Sequence, residues 1–175
     1  YGIEISQERG EIAQQNLTKC LITDYQSTRI SNRVFSLLYL NPPYDDDTSD
    51  NPLGLKQNQR HELSFIKNCI KYLMPQGVLV YLIPQTRIST RISRVLSYNF
   101  ENIKVFKFSP ETYDRFKQVV IFAELKRAAT KDPLDEKWLV KCGRKETVIP
   151  DVSISWLKNR YEVPQVSRKQ KKSGI

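Results

Sequence analysis

The chain has 175 residues, 39% of them hydrophobic and 27% charged, and a formal net charge of +9. It is long enough for one domain with a sizeable core. No apolar run approaches a membrane span, no secretory signal is visible, and one histidine (His61) with three scattered cysteines (Cys20, Cys69 and Cys142) excludes a zinc cluster.

The cysteines read as buried free thiols of an intracellular, cytoplasmic protein. Seven of the nine net charges fall in residues 137–175, where ten Lys or Arg face three acids. A basic end of this kind suits a polyanion partner, although "SRKQKKSG" alone also reads as a solvated, partly disordered tail.

In chain order, "YGIEI" is a short strand, and its start in mid-strand suggests a fragment of a longer protein. Ser6 can cap a helix whose inner face would carry Ile12, Ala13 and Leu17. "KCLITDY" is a second strand, ending at Asp24. "VFSLLYL" is a third, apolar throughout, as expected of a strand covered on both faces. It runs into Asn41-Pro42-Pro43-Tyr44 and a loop, "DDDTSDNPLG", rich in turn residues.

From Asn58 to Met74, Leu63, Ile66, Cys69, Ile70 and Leu73 fall on one helical face, and "MPQG" is expected to stop that helix. "VLVYLIP" is a strand closed by Pro84. Ile88, Ile92, Val95 and Leu96 then recur at helical spacing. "NIKVFKF" and "QVVIFAEL" are two more strands, with a connection too short for a crossover helix, so they should pair antiparallel. After Lys126 the pattern weakens, and "WLVKC" and "VSISWL" read as short strands or an irregular lobe. Strands alternating with helices over the first 100 residues indicate an α/β fold with a parallel sheet covered by helices.

Ligands of open α/β sheets bind beyond the carboxyl ends of the strands. Glu4 ends the first strand here, and Asp24 ends the second. Carboxylates in those places can accept ribose hydroxyls and an adenine amino group, or can be helix caps and surface acids. The third strand ends on the side-chain carbonyl of Asn41 and the backbone carbonyl of Pro42. Two acceptors converging on one NH₂ group hold both its hydrogens, localise the lone pair and make the nitrogen a nucleophile. Tyr44 can stack on the plane carrying that amine. Against a sulfonium methyl group no strong base is needed, and catalysis is mostly positioning.

Asn-Pro-Pro-Tyr after an apolar strand resembles the signature of the amino-methyltransferases of the class I S-adenosylmethionine-dependent fold, and "YGIEI", "LITDY", "HELSFIKNCIKYLMPQGVLVYLIP" and "FKQVVIFAEL" resemble the same family in order. The likeness covers residues 1–127 and looks nearest to the N6-adenine DNA methyltransferases of restriction-modification systems. It implies a Rossmann-like sheet, mostly parallel with an antiparallel last strand, followed by a basic extension over 128–175. It implies S-adenosylmethionine as cofactor, held by Glu4, Ile5, Asp24, Tyr25 and Asn41. Asn41, Pro42, Pro43 and Tyr44 would be catalytic, and Tyr44, Arg87, Arg91, Tyr113 and Phe116 would hold the substrate, with core packing the favoured role for Phe116. The family's first strand and glycine-rich cofactor loop should precede Glu4, and none of the six glycines substitutes for it. Either upstream residues carry it or cofactor binding has been lost, and the former is expected.

The expected substrate is an adenine amino group in nucleic acid, DNA ahead of RNA, with the base flipped into the pocket. Arg87, Arg91 and Arg94 would supply phosphate contacts, against the opposing acids Asp45, Asp46, Asp47 and Asp50. Two alternatives stay open: methylation of a protein glutamine amide, and a degenerate methyltransferase fold that binds nucleic acid without catalysis.

Overall fold

A computed structural model describes residues 1–42, 58–108, 110–152 and 161–165. The chain divides into two compact units, Tyr1–Ser31 and Asn32–Ile175.

The first unit is a β-α-β element. Strand β1 (Gly2–Glu4) pairs parallel with β2 (Cys20–Ile22), and helix α1 (Gln7–Asn16) connects them. Ser6 caps α1 as expected, its Oγ accepting from Arg9 N at 3.4 Å. The inner face differs from the expected one. Ile12 is 56% exposed, and the buried residue of α1 is Gly10. A Cβ at Gly10 would stand 2.6 Å from Ile22 Cγ1. The helix backbone rests directly on β2, so only glycine fits between them, and Ile12 is turned outward.

The second unit holds a four-stranded sheet in the order β3-β4-β6-β5, where β3 is Phe35–Leu40, β4 Leu73–Pro84, β5 Phe100–Lys107 and β6 Gln118–Leu125. β3 and β4 are parallel, and β6 is antiparallel to both β4 and β5. Three strands therefore run one way, and the reversed strand sits between β4 and β5. The last two strands pair antiparallel, as the sequence suggests. Their connection nevertheless contains a short helix, α4 (Pro110–Phe116).

Two further expectations change. "MPQG" does not separate helix from strand. Helix α2 (Asn58–Cys69) ends earlier, a 3-10 turn follows, and Met74–Gly77 interrupts β4 from within. The register jumps there, from Phe35↔Leu73 to Leu37↔Val78, with Gln76 at φ 65°. "WLVKC" is helix, not strand: it lies in α5 (Pro133–Gly143), with Asp132 accepting from Asp135 N at 3.0 Å. An Asp N-cap, Pro at the first position and acids in the first turn mark a helix start, and they outweigh the β-branched look of the segment.

Helix α3 (Thr90–Asn99) packs between α2 and α5. Tyr81 Oη donates to Glu62 O of α2 at 2.9 Å, which sets α2 against one face of β4. On the other face Leu82, Phe106 and Val120 form an apolar cluster with Val80, Phe122 and Val152. The basic extension thus feeds this unit's core: Leu139 and Cys142 are fully buried, and Pro150–Val152 bonds to the outer edge of β5 at Lys107. β3 is not covered on both faces. Leu38 and Leu40 pair beside Leu79 and Tyr81 on the α2 side, whereas Leu37 and Tyr39 on the other side are 45% and 57% exposed.

Candidate functional site

In the first unit the two acids lie where the sequence places them. Glu4 pairs with Ile22 at the carboxyl end of β1, and Thr23 N donates to Glu4 O at 2.9 Å, which ties the two strand ends together. Asp24 follows one residue later, exposed, and caps a 3-10 turn through Gln26 N at 3.0 Å. Tyr25 opens that turn, half-buried, and Ile5 is exposed beyond Glu4. Adjacent parallel strands are about 4.8 Å apart, so two carboxylates share one edge and fit a diol and an amino group side by side. Glu4 also serves the fold. Its Oε1 accepts from Ser6 N and from Arg9 Nη2, both at 2.9 Å, and the Arg9 hydrogen bond leads the contacts that hold its carboxyl below the usual range.

The second unit presents a separate set at the carboxyl edge of its sheet. Asn41 leaves β3 exposed, between buried Leu40 and buried Pro42. Its neighbours are thereby fixed in the core while Asn41 itself stays exposed. Pro43 and Tyr44 lie outside the described residues. β4 ends at Pro84 and turns through Gln85–Arg87, β5 ends at Lys107, and the reversed β6 begins here, so α4 and Lys117 reach the same edge.

Two of the expected substrate residues, Arg87 and Tyr113, are engaged within the protein. Arg87 Nε lies 3.3 Å from Glu62 Oε1, and Glu62 is buried. Among the described residues Glu62 Oε2 has no hydrogen-bond partner. Arg94 Nε pairs with Glu136 Oε1 on α5 at 3.3 Å. Arg91 is exposed on α3. Tyr113 Oη donates to Gln85 Oε1, and Gln85 Nε2 donates to Cys142 O at 2.7 Å, so one buried amide joins the end of β4 to α4 and α5. Lys107 and Lys117 each place Nζ 5.1 Å from the Tyr113 ring centre. Burial pushes the Tyr113 phenol upward, so it stays a neutral donor near pH 7. Phe116 does not pack in the core: it is 50% exposed, with the Arg115 guanidinium 5.0 Å over its ring.

Sequence reasoning missed Glu62, Gln85, Lys107 and Lys117. Gln85 carries a weak signal, being the first residue after a strand-closing proline. Glu62 and Lys107 carry none, because their partners come from other elements, whereas Lys117 pairs locally with Asp114 at 2.6 Å.

The three cysteines are free and buried. Among the described residues no three metal-ligating side chains come together, and no helix is long and apolar enough to cross a membrane.

A family model described as "Uncharacterised methyltransferase family (DUF6094)" matches residues 1–166. No curated protein matches the sequence. Among solved structures, the chain is similar to a predicted O-methyltransferase from Agrobacterium tumefaciens, at 15% identity over 81% of this chain and 76% of that one, with a TM-score of 0.46.

Proposed function

The chain belongs to this uncharacterised methyltransferase family, and from that premise we propose that it methylates the exocyclic amino group of adenine in nucleic acid, DNA ahead of RNA, with S-adenosylmethionine as donor. One observation carries the reading. Asn41 stands exposed at the carboxyl end of β3, and the chain on both sides of it is anchored by buried residues. An amide held in this way is suited to accept from an amino group, with the Pro42 carbonyl as second acceptor. Binding both hydrogens localises the nitrogen lone pair where a flat amine would otherwise delocalise it. The donor supplies a methyl group on a sulfonium centre. Nitrogen forms the new bond as the sulfur leaves, and the surplus proton passes to solvent.

Glu4 and Asp24 would hold the donor's ribose and adenine. Arg91 is exposed to phosphates, Lys117 and Lys107 would have to leave Asp114 at 2.6 Å and Asp151 at 3.9 Å to reach one, and the exposed ring of Phe116 offers a stacking face to an unpaired base. A second reading, a degenerate fold that binds nucleic acid without the donor, draws on the Glu4–Arg9 pair, which competes with a diol for Glu4 Oε1.

The test is methyl transfer from labelled donor to DNA, RNA and protein by the wild-type protein and Asn41→Ala. Transfer to nucleic acid lost in Asn41→Ala, with the fold retained, is the expected result. An active Asn41→Ala protein would sink the mechanism, and transfer to protein alone would redirect the substrate assignment to an amide.

A further inference from the structure

At the amino edge of the same sheet, roughly 20 Å along β4 from its carboxyl end, a cavity of about 170 Å³ opens between the chain entering β3, the start of β4 and the end of β6. Four cations line it, Arg33, Lys71, Lys126 and Arg127, and among the described residues no carboxylate does. Leu73 and Asn99 complete its inner wall.

We infer that this cavity is a phosphate-binding site. Like charges line it on a fixed backbone frame. Arg33 N donates to Lys71 O at 2.9 Å, and Lys126 N donates to Asn99 O at 2.9 Å, so the backbones bearing these side chains are locked in pairs. The Lys126 ammonium is aimed by Ser97 O at 2.7 Å and Thr130 O at 3.0 Å. Both acceptors are neutral, as is Gln76 Oε1, which accepts from Arg127 Nη2 at 2.5 Å. Among the described residues none of the four cations makes an ion pair. Asp135 on α5 feels the charge of Lys126, lies outside the lining and does not pair with it. Arg33 holds a left-handed backbone, φ 56°, which a bulky residue adopts at a cost. Like charges gathered round one cavity repel one another, and an anion bound there would relieve that repulsion. Two guanidiniums and two ammoniums match the several acceptor oxygens of a phosphate better than a single carboxylate. The site is distinct from the Asn41 edge and does not depend on methyl transfer.

Phosphate chemistry has two sources, a small phosphate ester and the backbone of a nucleic acid. The experiment is an amide-resolved NMR titration of the full chain with inorganic phosphate, and separately with a short single-stranded oligonucleotide, each against sodium chloride at equal ionic strength. Saturable shifts at Arg33, Lys71, Lys126 and Arg127 are expected. The double variant Lys71→Gln/Arg127→Gln alters two exposed side chains and should weaken binding about tenfold or more, while Lys71→Arg/Arg127→Lys retains it. Shifts with inorganic phosphate alone assign a small phosphate. Shifts with the oligonucleotide, competed by phosphate, assign a nucleic-acid backbone. No saturable response to either probe, an equal response to chloride, or indifference to the Gln variants would overturn the inference.

Discussion

Arg87 was assigned by sequence to a phosphate and by structure to Glu62, and one substitution separates the two roles. The pair lies 3.3 Å apart, with side-chain exposures of 26% for Arg87 and 3% for Glu62. At an effective dielectric of about 20 the attraction is about 5 kcal/mol, most of it offset by desolvation of the two ions. Removing one partner is a different matter. Arg87→Met strips Glu62 Oε1 of its cation while Oε2 already has no partner among the described residues. The loss should be about 2–3 kcal/mol, below the roughly 3–5 kcal/mol of fully buried pairs because Arg87 is partly solvated. Glu62→Met is milder, since Arg87 can turn to water. The double variant should return to within about 1 kcal/mol of wild type, with a coupling energy near 2 kcal/mol. Urea unfolding followed by tryptophan fluorescence, at constant m-value, measures all four proteins. An Arg87→Met protein within about 0.5 kcal/mol of wild type, or strictly additive losses, would refute the structural role and leave Arg87 to the substrate.

Gly143→Ala should cost about 3 kcal/mol in the same assay, because its Cβ would stand 2.1 Å from Ile88 O, a backbone atom that cannot swing aside. A thermal midpoint unchanged from wild type would contradict the tight α5 seat. Burial pushes the Cys69 and Cys142 thiols up to about 11. Both should resist alkylation at pH 8 and react on unfolding, and because the folded state keeps its protons, stability should fall as pH climbs above the unfolded thiol value of about 8.5. Prompt native labelling at either site, seen by peptide mapping, would oppose this. Glu4, held below its usual range, contributes stability that is present above its unfolded pKa and lost as pH falls through the lowered folded one. Arg9→Gln should therefore raise the pH midpoint at which the α1 amides lose protection, and an unmoved midpoint would show the pair to be inert.

The legible parts of this chain were those whose cause is local. The Ser6 cap, the apolar run of β3, the stop at Pro84 and the alternating order of strands and helices all follow from a few neighbouring residues. The positions of Glu4, Asp24 and Asn41 were legible because each lies at, or within two residues of, the carboxyl end of a strand. The failures share a cause too. Ile12 was assigned inward on periodicity, but the close approach of α1 to Ile22 required Gly10 there. Core packing was favoured for Phe116 over a substrate contact, yet its ring stands half exposed beside Arg115.

By itself, then, the sequence determined the α/β class, the strand ends that bear carboxylates and amide, and the uneven basic charge, because those depend on local propensity and composition. Only the tertiary structure decided the place of the reversed strand β6, the seating of Glu62 against Arg87, the Gln85 bridge to Tyr113 and Cys142, and the convergence of Arg33, Lys71, Lys126 and Arg127. Each of these joins residues far apart in the chain, and no local pattern encodes a partner that arrives from another element.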